Sequence, residues 1–204
     1  MIGIINYGLG NVKAFANIYK QLDVPFTIVS TPADLQSVSR IILPGVGAFD
    51  QAMQRLNQSG MRDRLEELVL QRKLPVVGVC VGLQILMASS EEGVGAGLGW
   101  IDGAVVRIDH SPNAVPQRVP HMGWNTVRPA NGAGLFNGLD QDARFYFLHS
   151  YVVRCNQAQD VLAVTDYGNE FACAVNRENI YGVQFHPEKS HGWGIRLLQN
   201  FAEL

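Results

Sequence analysis

The first half of the chain alternates short β-branched runs with helical patterns, and this alternation limits the fold more than any other feature. Ile2–Asn6, Phe26–Val29 and Ile41–Leu43 have the composition of buried strands, and residues 12–22 place apolar side chains at helical spacing. Strands that are separated by helices pair in parallel, because each helix returns the chain to the edge where it started. The sequence therefore predicts an α/β fold with an open, mostly parallel sheet that helices cover on both faces.

A further strand–helix unit surrounds Cys80. Residues 61–69 have apolar side chains at helical spacing, Pro75 precedes the apolar run Val76–Val79, and a second helical pattern follows Cys80. This order predicts a strand, a sharp turn and a helix.

From Gly103 to Gln184 the pattern changes to short strand-like runs separated by Gly, Asn, Pro and Asp, which predicts antiparallel additions to the sheet. The runs are Val105–Ile108, Phe145–Val153, Val161–Thr165, Ala172–Val175 and Ile180–Gln184. A closing helix is predicted from Trp193 to Phe201. No linker or repeat interrupts the chain, so residues 1–204 are predicted to form one domain.

Composition excludes several classes of partner. The net charge is −2 and no Lys/Arg run occurs, so nucleic acid is not expected as a partner. No apolar run approaches the roughly 20 residues of a membrane helix, and no signal peptide is recognisable, so a cytoplasmic location without membrane contact is expected. The cysteines number three, with no CxxC pair, so neither a disulfide framework nor a metal site is expected.

Gly78-Val79-Cys80-Val81-Gly82 has the form of a nucleophile elbow in which sulfur replaces oxygen. The flanking glycines allow a sharp turn and a close approach of neighbouring backbone, and the helix N-terminus beyond Cys80 would stabilise a thiolate. A lone cysteine is more often a buried core residue. The position between a buried strand and a helix favours the nucleophile, whereas Cys155 and Cys173 are predicted to be small core residues.

A thiol nucleophile requires a base, and His186 has the most informative setting of the five histidines. It follows an apolar strand, and Glu188 lies two residues beyond it. If Pro187 keeps this link extended, His186 and Glu188 share a face, so the carboxylate can orient the imidazole ring. The sequence therefore predicts a Cys–His–Glu triad.

Two glycine-containing loops follow predicted strands. In an elbow the residue after the nucleophile supplies one oxyanion donor, here the Val81 N–H, and a second can come from Val46 or Gly47 in the loop Pro44–Gly47. An ordinary turn remains the alternative for that loop. The other loop, Tyr7–Asn11, is not assigned to dinucleotide binding, because Lys13 occupies the third glycine position of that motif; Gly10 and Asn11 are expected to begin the first helix.

The runs Gly78–Gln84 and Gly182–Glu188, taken together, resemble the class I glutamine amidotransferases. The resemblance covers the chain from end to end. It implies a flavodoxin-like sheet, L-glutamine as substrate, no cofactor, and a single type-1 glutaminase domain over residues 1–204. Cys80 would be the nucleophile, His186 the base and Glu188 its orienting carboxylate.

Within this family, the runs Pro44–Gly47, Pro120–Asn125, Phe145–Tyr151 and His186–Ser190 are similar to the glutaminase subunits of imidazole glycerol phosphate synthases. This similarity implies a partner in a separate chain, a cyclase with a (β/α)8 barrel, in a heterodimer that serves histidine biosynthesis. It implies a glutamine pocket formed by Gln84, Glu92, His149, Ser150 and Tyr151. It also implies a partner interface that includes Asn11, Trp124, Tyr146 and Lys189, although core positions for the two aromatic residues remain open.

Three alternatives remain. His191–Gly194 is similar to duplicate glutaminase subunits that serve amidation of surface-polysaccharide sugars. A freestanding thiol hydrolase or peptidase could use the same fold, because fold alone does not determine function. A catalytically silent partner-binding module is the third, and the intact triad argues against it.

Overall fold

Five parallel strands form the centre of the fold in the computed structural model, which describes residues 1–108, 118–130, 134–140 and 142–204. The strands of the first half are β1 (Ile2–Ile5), β2 (Phe26–Val29), β3 (Arg40–Gly45), β4 (Val76–Cys80) and β5 (Ser89–Ser90). Those of the second half are β6 (Gly103–Arg107), β7 (His121–Thr126), β8 (Arg128–Pro129), β9 (Arg144–His149), β10 (Tyr151–Cys155), β11 (Val161–Asp166), β12 (Glu170–Arg177) and β13 (Ile180–Val183).

The main sheet has the order β2-β1-β3-β4-β13-β12-β10-β6-β5, with β11 paired to β12 and β8. Strands β2, β1, β3, β4 and β13 are mutually parallel, and β12, β10 and β6 extend the sheet in antiparallel fashion. The parallel part has the 2-1-3-4-5 order of flavodoxin-like sheets. The predicted fold class is therefore confirmed.

Helices enclose the parallel strands, and every residue of β1 and β4 is buried. The helices are α1 (Val12–Gln21), α2 (Phe49–Gln58), α3 (Arg62–Glu66) continued by a π-helical turn at Glu67–Gln71, α4 (Val81–Gln84) and α5 (His191–Glu203). Strands buried on both faces explain why the first half reads as continuous apolar runs instead of alternating ones. No helix in the described ranges is long and apolar enough to cross a membrane.

The structure corrects the predicted run Phe145–Val153. It contains two strands, because the chain leaves the small β7–β9 sheet and enters the main sheet at Ser150. β9 pairs with β7, whereas β10 pairs with β6. Two consecutive strands in different sheets have the same apolar composition as one long strand, so periodicity did not reveal the bend.

Helical boundaries also differ from expectation. The helix after Cys80 is only one turn long, and α2 was not predicted. Asn11 takes the N-cap position of α1, but its side chain makes no capping hydrogen bond.

Cys173 is buried in β12, as expected of a core residue, whereas Cys155 at the end of β10 is partly exposed.

Candidate active site

Cys80 ends β4 in a backbone conformation that few non-glycine residues adopt, with φ 56° and ψ −113°. This sharp turn directs the chain from the strand straight into α4. The backbone of β3 passes very close to α4 at this turn: a Cβ added to Gly82 would lie 1.9 Å from the carbonyl oxygen of Leu43. The elbow therefore depends on glycine at position 82, and it presents the Cys80 thiol at the carboxyl edge of the sheet.

His186 is brought to Cys80 by strand pairing. β13 pairs with β4 in parallel, with Val183 opposite Val79, so the residues that follow each strand emerge side by side. His186 is held by a backbone bridge to Tyr146, and its carbonyl oxygen accepts a 2.6 Å hydrogen bond from Ser190 Oγ. The predicted base and nucleophile thus lie at one edge of the sheet, at the ends of neighbouring strands.

Glu188 lies against the imidazole of His186, with 2.9 Å between Oε1 and Nδ1. Both side chains are almost fully buried. The geometry of the link differs from expectation, because Pro187–Lys189 forms a 3-10 turn and is not extended. The turn folds the carboxylate back on the ring, so the contact forms by a different route than the one predicted from a shared strand face.

Burial would by itself lower the pKa of His186, because it disfavours the charged ring. Hydrogen bonding and charge interaction with Cys80 and with Glu188 act against burial and raise the pKa to about 9. At neutral pH the environment therefore favours the imidazolium form of His186. Imidazolium can supply the proton that a departing amine requires, and a cysteine beside it can serve as the nucleophile of acyl transfer.

A cavity of about 280 Å³ opens at Cys80 and His186. Nine further lining residues were predicted from the sequence: Val46, Gly47, Val81, Gln84, Glu92, His149, Ser150, Tyr151 and Lys189. Two lining residues, Pro120 and Leu148, were not predicted. The structure thus brings Cys80 and His186 of the predicted triad, together with the predicted oxyanion and glutamine-binding residues, around one space of the size of a small ligand.

Three of the predicted cavity residues have a defined local geometry. Glu92 Oε2 accepts a 2.9 Å hydrogen bond from the N–H of Phe49, the first residue of α2. Gln84 Nε2 donates to the carbonyl oxygen of Tyr151 at 3.2 Å. Gly47, in the loop between β3 and α2, has φ +90°, which favours glycine.

Two supporting residues were missed by the sequence analysis. Gln184 is buried; its Nε2 lies 3.8 Å from Cys80 Sγ, and its Oε1 accepts a hydrogen bond from Gln84. Tyr7 Oη donates to the carbonyl oxygen of Pro44 at 2.8 Å and so supports the base of the Val46–Gly47 loop. A polar residue within an apolar strand was the available signal for Gln184; nothing in the sequence indicated Tyr7.

Three of the four predicted interface residues lie close together beside the cavity. Trp124 is 37% exposed and packs edge-on against Tyr146, and Lys189 Nζ lies 5.6 Å from the Tyr146 ring centre. Trp124 is thus not a core residue. Asn11 is exposed at the start of α1, after the carboxyl end of β1. In the described ranges, no group of three or more His, Cys, Asp or Glu side chains is arranged to hold a metal ion.

Comparison with known proteins agrees with this architecture. The family model "Glutamine amidotransferase class-I" matches residues 3–204. The chain is 55% identical to a protein named imidazole glycerol phosphate synthase subunit HisH from Bdellovibrio bacteriovorus and 52% identical to one of the same name from Leptospira interrogans, in both cases over all of each chain. A solved structure of a glutamine amidotransferase superposes with a TM-score of 0.74 at 19% identity, covering 100% of this chain and 99% of that one. This chain belongs to the class I glutamine amidotransferases.

Proposed function

We propose that the chain, as a single domain over residues 1–204, is the glutaminase subunit of an imidazole glycerol phosphate synthase. The observation that carries the proposal is the Cys80 thiol at a strand–helix elbow, in the lining of the cavity and near the buried His186–Glu188 pair. The identity of 55% over the full length of a subunit of that name supports the choice of synthase. The reaction is hydrolysis of L-glutamine to glutamate and ammonia in the cytoplasm, without a cofactor.

The reaction begins with attack of the Cys80 thiolate on the side-chain amide carbonyl of glutamine. The negative charge that develops on oxygen is stabilised by the N–H of Val81 and by the loop that contains Val46 and Gly47. Imidazolium at His186 then donates its proton to the departing nitrogen, and ammonia leaves. A γ-glutamyl thioester remains on Cys80, and water activated by neutral His186 hydrolyses it to glutamate.

Glutamine is held by the cavity wall on either side of the thiol. The Glu92 carboxylate has one oxygen bonded to α2 and is placed to receive the α-ammonium group. Ser150, Tyr151 and His149 also line the cavity. Gln84 fastens that wall to the elbow helix through the Tyr151 carbonyl oxygen.

Ammonia released at Cys80 would pass to a cyclase subunit, a separate (β/α)8-barrel chain, in a heterodimer. The surface proposed for this partner consists of Asn11, Trp124, Tyr146 and Lys189. Asn11, Trp124 and Lys189 are exposed, Tyr146 is partly buried against Trp124, and Lys189 lines the cavity, as an interface that receives the product requires.

The proposal is tested by substituting the nucleophile. Cys80→Ala abolishes synthesis that depends on glutamine, while added ammonia at elevated pH still supports the partner. Cys173→Ala, at a buried cysteine that is not among the cavity-lining residues, is the matched control and keeps both activities. Loss of the ammonia-dependent reaction in Cys80→Ala would show that Cys80 has a structural role instead.

Glu188→Gln tests the pairing with His186. Loss of the carboxylate charge lowers the pKa of His186, so imidazolium is scarcer at neutral pH, and kcat falls by roughly 10²-fold or more. Glu203→Gln, at the exposed end of α5, is the control and leaves kcat unchanged. An unchanged kcat in Glu188→Gln would remove Glu188 from the triad.

Trp124→Ala and Lys189→Ala test the partner surface. Both reduce stimulation of glutamine hydrolysis by the ligand-loaded cyclase more than they reduce hydrolysis by the subunit alone. Equal losses of the two activities would exclude these residues from the interface. If glutamine hydrolysis is stimulated by a cyclase-like partner from a polysaccharide pathway and not by the histidine enzyme, the duplicate-subunit alternative is favoured. Efficient peptide hydrolysis without a partner would favour the freestanding hydrolase.

A further inference from the structure

A chain of hydrogen bonds between two buried histidines leads from β7 into the wall of the cavity. His121 and His149 are paired across β7 and β9 and are 2% and 6% exposed. His121 Nδ1 lies 2.9 Å from His149 Nε2, and His149 Nδ1 lies 2.9 Å from the carbonyl oxygen of Tyr151. His149 and Tyr151 are cavity-lining residues, whereas His121 is not.

The direction of each bond follows from the chemistry of its ends. A carbonyl oxygen only accepts, so His149 must carry its proton on Nδ1. In the neutral ring Nε2 is then an acceptor, and His121 must donate to it from Nδ1. That leaves Nε2 of His121 as an acceptor in turn.

Asn125 supplies the donor that this arrangement requires. Its Nδ2 lies 3.3 Å from His121 Nε2 and donates to the carbonyl oxygen of Asp166 at 2.7 Å, while its Oδ1 accepts from the N–H of Thr126 at 2.8 Å. The last two bonds fix the amide orientation independently of the histidines. The whole chain therefore has one consistent set of proton positions.

The surroundings keep both rings neutral. His121 is stacked between the rings of Phe147 and Tyr167, at 4.6 and 4.0 Å between centroids. Burial lowers the pKa of His121 to about 4. The pKa of His149 is lowered to about 3, mainly by burial and also by the charges of His121 and His186. The hydrogen bond to the Tyr151 backbone acts in the opposite direction.

We infer that His121 is a positioning residue for the glutamine pocket: it fixes the Nδ1–H tautomer of His149, which holds the Tyr151 carbonyl oxygen and the bend at Ser150. The inference rests on the proposed function, because its consequence is expressed in glutamine binding. The Tyr151 carbonyl oxygen also accepts from Gln84, so His149 and the elbow helix are tied to one atom. Without the His121 donor, the Nε2 acceptor of His149 is buried and unpaired, and the wall that carries Ser150 loses one of its anchors.

Two substitutions at His121 separate the hydrogen bond from the packing. The amide nitrogen of asparagine occupies the place of Nδ1, so His121→Asn keeps the donor to His149. The amide of glutamine reaches the place of Nε2, so His121→Gln loses that donor, and both variants lose the aromatic stacking. Glutamate release is measured with the full-length chain in complex with its cyclase partner.

His121→Gln is expected to raise KM for glutamine about tenfold with a smaller change in kcat, and His121→Asn to stay within about threefold of the wild-type KM. Equal KM values in the two variants would overturn the inference, because packing loss is common to both. A wild-type chain that does not hydrolyse glutamine would instead overturn the proposed function.

A second measurement does not require either variant to fold or any activity. Imidazole ¹⁵N chemical shifts of the wild-type chain at pH 7 report the tautomer of each histidine, and the two buried rings are expected as Nδ1–H tautomers. An Nε2–H tautomer at either His121 or His149 would overturn the inference.

Discussion

The backbone strain at Cys80 can be measured by comparing alanine and glycine at two cysteines. Cys80 is buried at the end of β4 with φ 56°, whereas Cys173 is buried inside β12 with negative φ. Alanine keeps the Cβ that makes the Cys80 conformation unfavourable, and glycine removes it. The comparison uses Cys80→Ala, Cys80→Gly, Cys173→Ala and Cys173→Gly.

At a buried strand position of ordinary φ, glycine is less stable than alanine by about 0.5–1 kcal/mol of backbone entropy. It also loses roughly 0.8 kcal/mol for the buried methyl group. Both costs apply at positions 80 and 173, so they cancel when the glycine–alanine difference at Cys173 is subtracted from that at Cys80. What remains is the strain of a non-glycine residue at the elbow, expected to be about 1–3 kcal/mol in favour of glycine at position 80.

The free energy of unfolding is obtained from urea denaturation at pH 7, followed by tryptophan fluorescence, with equal m-values required of all four variants. Glycine at position 173 should be the less stable substitution by about 1–2 kcal/mol. At position 80 that penalty should be smaller by about 1–3 kcal/mol, or reversed in sign. If glycine costs as much at position 80 as at position 173, the elbow stores no strain, and the sharp turn at Cys80 needs another explanation.

Two further predictions concern stability. Gly82→Ala places a Cβ 1.9 Å from the carbonyl oxygen of Leu43, a backbone atom that cannot move aside, so the free energy of unfolding in urea should fall by more than about 2 kcal/mol. Gly192→Ala, in α5 with open space around it, should instead raise the free energy of unfolding by about 0.5–1 kcal/mol. Equal effects of the two substitutions would refute the close approach at Gly82. The folded chain keeps His121 and His149 deprotonated below pH 6.5, whereas the unfolded chain does not, so the unfolded state binds more protons. The free energy of unfolding should therefore fall as the pH decreases from 6.5 toward 4, by up to about 1.4 kcal/mol per pH unit for each histidine. His149→Gln should reduce the dependence of the free energy of unfolding on pH. An unchanged dependence between pH 6.5 and 4.5 would refute the assignment of this effect to His149.

His186 has the opposite dependence. Its pKa in the folded chain is raised to about 9, so the folded state binds the additional proton between pH 6.5 and 9. The stability it contributes is complete below pH 6.5 and is lost as pH rises through 9. Activity that uses His186 imidazolium as the proton donor should therefore decline on the alkaline side of the pH profile.

The sequence by itself determined the elements that depend on local chemistry. Apolar runs separated by helical spacing were sufficient for the parallel sheet, and glycines on both sides of Cys80 were sufficient for the elbow. The motif around His186 predicted its contact with Glu188, because only Pro187 separates the two residues. These features survive because each is encoded within a few consecutive residues.

Only the tertiary structure decided the features that join distant segments. The bend at Ser150, the support of the Val46–Gly47 loop by Tyr7 and the contact of Gln184 with the thiol all depend on which strands are neighbours. The route by which Glu188 reaches His186 depended on a 3-10 turn that the spacing could not distinguish from extended chain. The physical reason is that hydrogen bonds across a sheet depend on register and burial, which arise when the whole core packs, and no short stretch of sequence contains them.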